Sequence, residues 1–109
     1  MTSPDAQDPG NTIAGIDKLI HEPARYLLMA YLSVVESADA IFLQRQTGLT
    51  WGNLSSHLGR LEAAGYINVQ KDFIDRKPHT MIAISDKGRA AFDAYRDLMK
   101  KVLNDLPDV

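Results

Sequence analysis

The chain has no cysteine. Disulfides, thiolate metal sites and thiol redox chemistry are therefore excluded, and a cytoplasmic setting is expected. Nowhere do roughly 18 apolar residues run consecutively, and MTSPDAQDPG at the N-terminus has no basic segment leading into an apolar one. Neither membrane insertion nor export is expected. An excess of positive charge is also missing: 12 Lys and Arg against 14 Asp and Glu leave a net charge of −2. The chain therefore departs from the uniformly basic profile of many nucleic-acid binders. No nucleophile stands with a base, no glycine-rich loop could cradle a phosphate, and no carboxylates pair as catalysts, so neither an enzyme nor a cofactor is expected. Asp17 and His21 stand four residues apart and could share a metal, but a structural zinc needs four ligands. The pair is expected to cap or to face solvent.

What is present is an ordinary globular composition, 45% apolar and 24% charged over 109 residues. That is enough for one small domain, whose core would gain from a partner subunit. Charge is unevenly spread. Residues 1–36 carry Asp5, Asp8, Asp17, Glu22 and Glu36 against Lys18 and Arg25, whereas residues 50–79 carry Arg60, Lys71, Arg76 and Lys77 against Glu62, Asp72 and Asp75. The second stretch is slightly positive.

Two prolines, a glycine and two aspartates make residues 1–10 an expected unpacked tail, leaving 11–109 as the domain. Ile13, Ile16 and Ile20 recur at helical spacing up to Pro23, which opens a second helix predicted to reach about Glu36. Ser37-Ala38-Asp39 breaks the pattern. A short helix over Ala40 to Thr47 follows, closed by Gly48, and Thr50 is a good N-cap for the next, which stops at Gly65. The period then changes from 3.6 to 2: Tyr66 to Gln70 and Met81 to Ile84 read as strands around the charged turn Asp75-Arg76-Lys77-Pro78-His79. Ser85 caps a last helix.

Between Thr50 and Ala64, Leu54, Leu58 and Leu61 fall on one helical face, while Gly52, Asn53, Ser56, Gly59, Arg60 and Ala63 fall opposite. A merely solvated face would carry good helix formers such as Glu, Lys and Gln. Two glycines instead cost about 1 kcal/mol each, which makes sense if another surface must come close, such as a DNA major groove or a protein. His57, at the edge of the apolar stripe, is expected to be a hydrogen-bonded boundary residue, and Trp51 to anchor the turn against the preceding helix.

The fold class that follows is α+β, mainly helical: a winged helix-turn-helix with a two-stranded β-hairpin wing and terminal helices for dimerisation. The run L-T-x-G-N-L-S-S-H-L-x-x-L-E-x-A-G-Y-I, then F-I-D-R-K-P-H-T and I-S-D-K-G-R-A-A-F, resembles the small winged-helix transcriptional regulators related to the MarR and ArsR families. This resemblance implies a homodimeric regulator that binds double-stranded DNA through a recognition helix, Thr50 to Ala64. It marks Thr50, Asn53, Ser55, Ser56 and Arg60 on that helix, and Arg76, Lys77, His79 and Thr80 on the wing, as DNA-binding candidates. Asp75 departs from the glycine expected at the wing's turn.

Ile13, Ile16, Ile20, Phe92, Tyr95, Met99, Val102 and Leu106 exceed what a small winged core needs to cover. They are the expected dimer interface, spacing two recognition helices about 34 Å apart for successive major grooves. The expected function is sequence-specific regulation of transcription, most simply as a repressor that occludes a promoter. The alternatives are a winged-helix module that holds another protein, or a regulator of the same fold that responds to a metal or a small-molecule effector.

Overall fold

The computed structural model describes residues 13–107; the tail expected at residues 1–10 lies outside them. Ile13 and Ala14 have helical backbone, but the helix expected to run on towards Ile20 gives way to turns. Asp17 is the cause. Its Oδ1 accepts from the N–H groups of Leu19 (2.9 Å) and Ile20 (3.2 Å), and its Oδ2 accepts from the Tyr66 hydroxyl. An aspartate that captures nearby amides competes with helix formation.

Helix α1 spans Pro23–Leu32, with the Glu22 carboxylate accepting from the Arg25 N–H (2.8 Å) and Pro23 at a position that needs no donor. It ends four residues before the expected Glu36. The Ser33 hydroxyl turns back onto the Ala30 carbonyl (2.7 Å), and the chain leaves the helix to lay a strand that the sequence pattern missed, β1 at Ala38–Asp39. Helix α2 (Ala40–Thr47) and helix α3 (Trp51–Ala63) follow as expected. Asp39 caps α2 through the Ile41 N–H (2.7 Å), and Thr50 caps α3 through the Asn53 N–H (3.1 Å). Between them Gly48 takes φ 69°, a left-handed conformation that favours glycine.

Strands β2 (Ile67–Ile74) and β3 (Lys77–Ile84) are both longer than the periodicity predicts. The expected five-residue turn is only two residues long. Asp75 (φ 51°) and Arg76 (φ 66°) both occupy the left-handed region, the type I′ geometry whose twist matches a hairpin. Aspartate tolerates that region at the first position, while Arg76 holds it as a larger residue that rarely does. Lys77, Pro78 and His79 consequently belong to β3. The sheet has the antiparallel order β1-β3-β2 with Ala38 opposite Ile82 and Ile67 opposite Ile84, so the wing is rooted in three strands rather than two.

Helix α4 (Asp86–Asn104) starts at Ser85, whose hydroxyl accepts from the Gly88 N–H (3.0 Å) and donates to the Gly65 carbonyl. The core between these elements includes the fully buried Leu28, Leu32, Leu43, Leu54, Leu61, Ile67 and Ile82. Ile20, Phe92 and Tyr95 are also buried here, which corrects their assignment to a dimer surface: their apolar area is already used within the protomer. Arg25 is the one charged residue buried in this core among the described residues. Its Nε donates to the Leu19 carbonyl (2.6 Å) and its Nη1 to His57 Nδ1 (3.1 Å), which must accept because a guanidinium cannot. The network ties the turn before α1 to α3.

Gly88 marks the tightest approach in the fold, since a Cβ there would lie 2.0 Å from the Tyr66 carbonyl oxygen. Backbone cannot yield as a flexible side chain can, so Gly88→Ala is expected to destabilise by about 1–3 kcal/mol in urea denaturation. Tyr66 yields a pH prediction. Burial, together with the hydrogen bond to Asp17 and its charge, pushes the phenol from 10.0 up to about 12. Below pH 10 both folded and unfolded chains keep the proton; between 10 and 12 only the folded chain does, so stability falls across that window. Tyr66→Phe should flatten part of that decline, read as urea midpoint against pH.

Candidate nucleic-acid interface

The three leucines of α3 point into the core, and this sets what the helix can offer outward. At about 100° per residue, the crest opposite them consists of Gly52, Ser56, Gly59 and Ala63, all exposed. Neither a Gly52 nor a Gly59 Cβ would meet any atom within 4 Å. The glycines are thus not demanded by packing inside the protomer. Exposed Asn53 and Arg60 flank the crest on one side, and Trp51, Ser55 and Glu62 on the other.

The second flank faces the wing across an open cleft of about 370 Å³, lined by Trp51, Ser55, Gly59 and Glu62 of α3 and by Val69, Lys71 and Thr80 of the sheet. Trp51 is 54% exposed, so it does not anchor the turn as expected but stands at the cleft's edge. Lys71 lies opposite Thr80 in the β2–β3 register, which brings both to the same sheet face. Lys71 lies one residue beyond Gln70, where the strand was expected to end. Continued alternation through Phe73 was the available signal.

The candidate residues therefore separate into groups. Ser55 and Thr80 share the cleft; Asn53, Ser56 and Arg60 occupy the crest and its far flank; Arg76 and Lys77 stand exposed at the wing's end. Thr50 is exposed too, but its hydroxyl oxygen is engaged as the cap. Among the described residues the carboxylates within 4 Å of a basic side chain are Glu22, facing Arg25 and His57, and Asp39, facing His79, so Arg60, Arg76 and Lys77 meet none.

His79 departs from its expected role. Its Nδ1–H donates to Asp39 Oδ2, on the same carboxylate that caps α2, and its side chain is largely covered. That hydrogen bond, with a smaller contribution from the Ile41 amide, holds the Asp39 carboxyl below its ordinary value. His79 thus positions the wing against α2 and is not free at its surface. His57 is the boundary residue expected of it, and its Nδ1 lies 3.7 Å from Glu22 Oε2 as well as near Arg25. Asp17 and His21 do not share a site: one binds Tyr66 and the Leu19 and Ile20 amides, the other hydrogen-bonds Tyr95.

A helix-turn-helix followed by a hairpin wing defines the class as winged helix. The Winged helix DNA-binding domain family matches residues 24–103, and the chain belongs to it. It is 35% identical over 78 residues to the uncharacterized protein MJ0432 of Methanocaldococcus jannaschii, covering 72% of this chain and 85% of that one. It is 26% identical over 95 residues to the uncharacterized HTH-type transcriptional regulator YcgE of Bacillus subtilis, covering 79% of this chain and 62% of that protein. The transcriptional regulator homologue of Pyrococcus horikoshii superimposes with a TM-score of 0.79 at 28% identity, covering 89% of this chain and 96% of that one. Further structural neighbours are regulators of the MarR and ArsR type. The Bacillus subtilis and Pyrococcus horikoshii relatives bear the names of transcriptional regulators, not of enzymes. Among the described residues no helix is long and apolar enough to cross a membrane.

Because Gly59 faces open space, Gly59→Ala is expected to raise stability by about 0.5–1 kcal/mol. A rise in melting temperature checks it, and a fall would mean that the glycine serves the fold.

Proposed function

We propose that the chain is a sequence-specific regulator of transcription that binds duplex DNA as a homodimer, acting as a repressor that occludes a promoter. The observation that carries this reading is the α3 crest: four small, exposed residues, two of them glycines that no packing requires, flanked by Asn53 and by an Arg60 that enters no ion pair among the described residues. A bare crest lets the helix sink into a major groove, where an arginine on the flank can reach guanine or a phosphate. Lys71, Arg76 and Lys77 on the wing supply phosphate attraction, which fixes register without reading sequence.

Two copies would join through the ends of the chain. Ile13 is 71% exposed and Leu106 58% exposed, with Leu103 exposed nearby in sequence and Ile16, Met99 and Val102 only partly covered. Burying this surface against a second copy satisfies it and gives the two-fold arrangement that a palindromic site requires.

Binding sites selected from a random DNA pool provide the probe. Arg60→Ala is expected to cost about 1–3 kcal/mol at the selected site and to relax discrimination there, whereas Lys77→Ala should weaken all sequences alike and lessen the salt dependence. Gly59→Ala should also bind less well although it folds better. Unchanged affinity in all three, or no selection of any sequence, overturns DNA recognition and favours a protein partner for the crest. A monomeric mass at micromolar concentration overturns the dimer.

A further inference from the structure

The wing ends in an apolar tip that the core does not use. Phe73 is 73% exposed, more than any other large apolar residue of the sheet, and the register sets it opposite Pro78. In a two-residue hairpin the pair flanking the turn, here Ile74 and Lys77, is hydrogen bonded. Phe73 and Pro78 therefore form the next, non-hydrogen-bonded pair, in which facing side chains stand closest. Proline costs the ladder nothing there, and β1 reaches only as far as Met81, leaving the other edge of β3 unpaired at Pro78. The consequence is an aromatic ring backed by a pyrrolidine at the end of a stiff hairpin.

The direction of this tip follows from alternation. Lys71 and Thr80, two residues nearer the wing's root, share the face of Phe73 and Pro78 and line the cleft against α3. Phe73 thus extends the surface on which Trp51, Ser55 and Lys71 already lie. Lys71 stands on the same face and Arg76 sits in the turn with Asp75, while alternation turns both Lys77 and Asp72 to the opposite face, where the Asp72 carboxylate accepts from the Phe73 N–H (2.8 Å). An exposed ring with Lys71 on its own face and Arg76 at the adjoining turn, continuous with the α3 cleft, matches a partner that is anionic outside and apolar within. A duplex has that character at its minor groove, where phosphates border stacked bases.

We propose that Phe73, braced by Pro78, is a wedge that enters the minor groove beside the site read by α3, partly unstacks one base step and kinks the duplex by about 20–90°. Lys71, Arg76 and Lys77 neutralise the phosphates on either side of the insertion. The wedge adds a sequence preference of its own, because pyrimidine–purine steps such as TA and CA yield most easily. This inference rests on the DNA-binding reading above and goes beyond it, since α3 could bind an unbent duplex.

The experiment uses the full chain and a duplex carrying its selected site, with 2-aminopurine at successive steps on the wing side and a fluorophore pair at the two ends. Binding is expected to brighten 2-aminopurine at one step and to shorten the end-to-end distance. Phe73→Ala should abolish both signals and weaken binding roughly tenfold, with the melting temperature unchanged because the ring is outside the core. Phe73→Leu should keep most of the bend, since leucine also wedges. Binding by the wild type with neither signal, or equal bending by Phe73→Ala, overturns the wedge while leaving DNA recognition intact. Failure of the wild type to bind any duplex overturns the recognition reading itself, and the wedge with it.

Discussion

Leu54, Leu58 and Leu61 must leave water, and the rest of the molecule is arranged around that requirement. Each is worth about 1.5–3 kcal/mol when fully buried, and all three lie on a single stripe of α3 covered by α1 and the root of the sheet, in a core that also holds Leu43 of α2. A stripe so fully covered leaves the helix no freedom to rotate. Its opposite face is therefore held outward at a fixed angle, and the two capping residues, Thr50 before it and Ala64 after it, only set where it begins and ends. Arg25 adds direction to this packing: an apolar contact tolerates sliding, but its hydrogen bonds to the Leu19 carbonyl and His57 do not.

The wing depends on the same body at one remove. Its two long strands are an edge structure that could swing as a unit, and β1 provides only two residues of pairing to resist this. Asp39 compensates by serving both sides at once, capping α2 with one oxygen and accepting from His79 of β3 with the other. The hairpin and the helix-turn-helix thereby share a carboxylate. Gly88 and Ser85 close the opposite end of the hairpin against α4, at a distance where only the absence of a side chain permits contact. The relative placement of helix crest, cleft and wing tip is thus set by a few polar contacts laid over an apolar core.

Much of this was legible in the residues, for local reasons. The leucine spacing, the caps at Thr50 and Ser85, the stop at Gly48 and the change of period after Gly65 are all written within one turn or one strand of the position they govern. What failed to show depended on partners distant in sequence. Phe92, Tyr95 and Ile20 have the spacing of an exposed seam, and only the packing of α1 beside α4 reveals that they are covered within one protomer. The short β1 carries no periodicity at all and exists because β3 offers it an edge. Trp51 looks like an anchor by composition, yet the helix turn that buries Leu54 carries it outward.

The sequence by itself determined the helices α1 to α4 and the two wing strands in their order, the apolar and bare faces of α3 and the family to which the chain belongs, because hydrophobic period, capping chemistry and motif spacing are short-range properties. The tertiary structure alone decided which polar groups remain available. His79 and Arg76 look alike as charged wing residues, but one is spent on Asp39 forty positions away and the other stands free of any ion pair among the described residues. Likewise Phe73 and Phe92 are the same side chain with the same demand for burial. One is met inside the protomer and the other is left for whatever meets the wing, because a hairpin that projects from the body has nothing of its own to fold against.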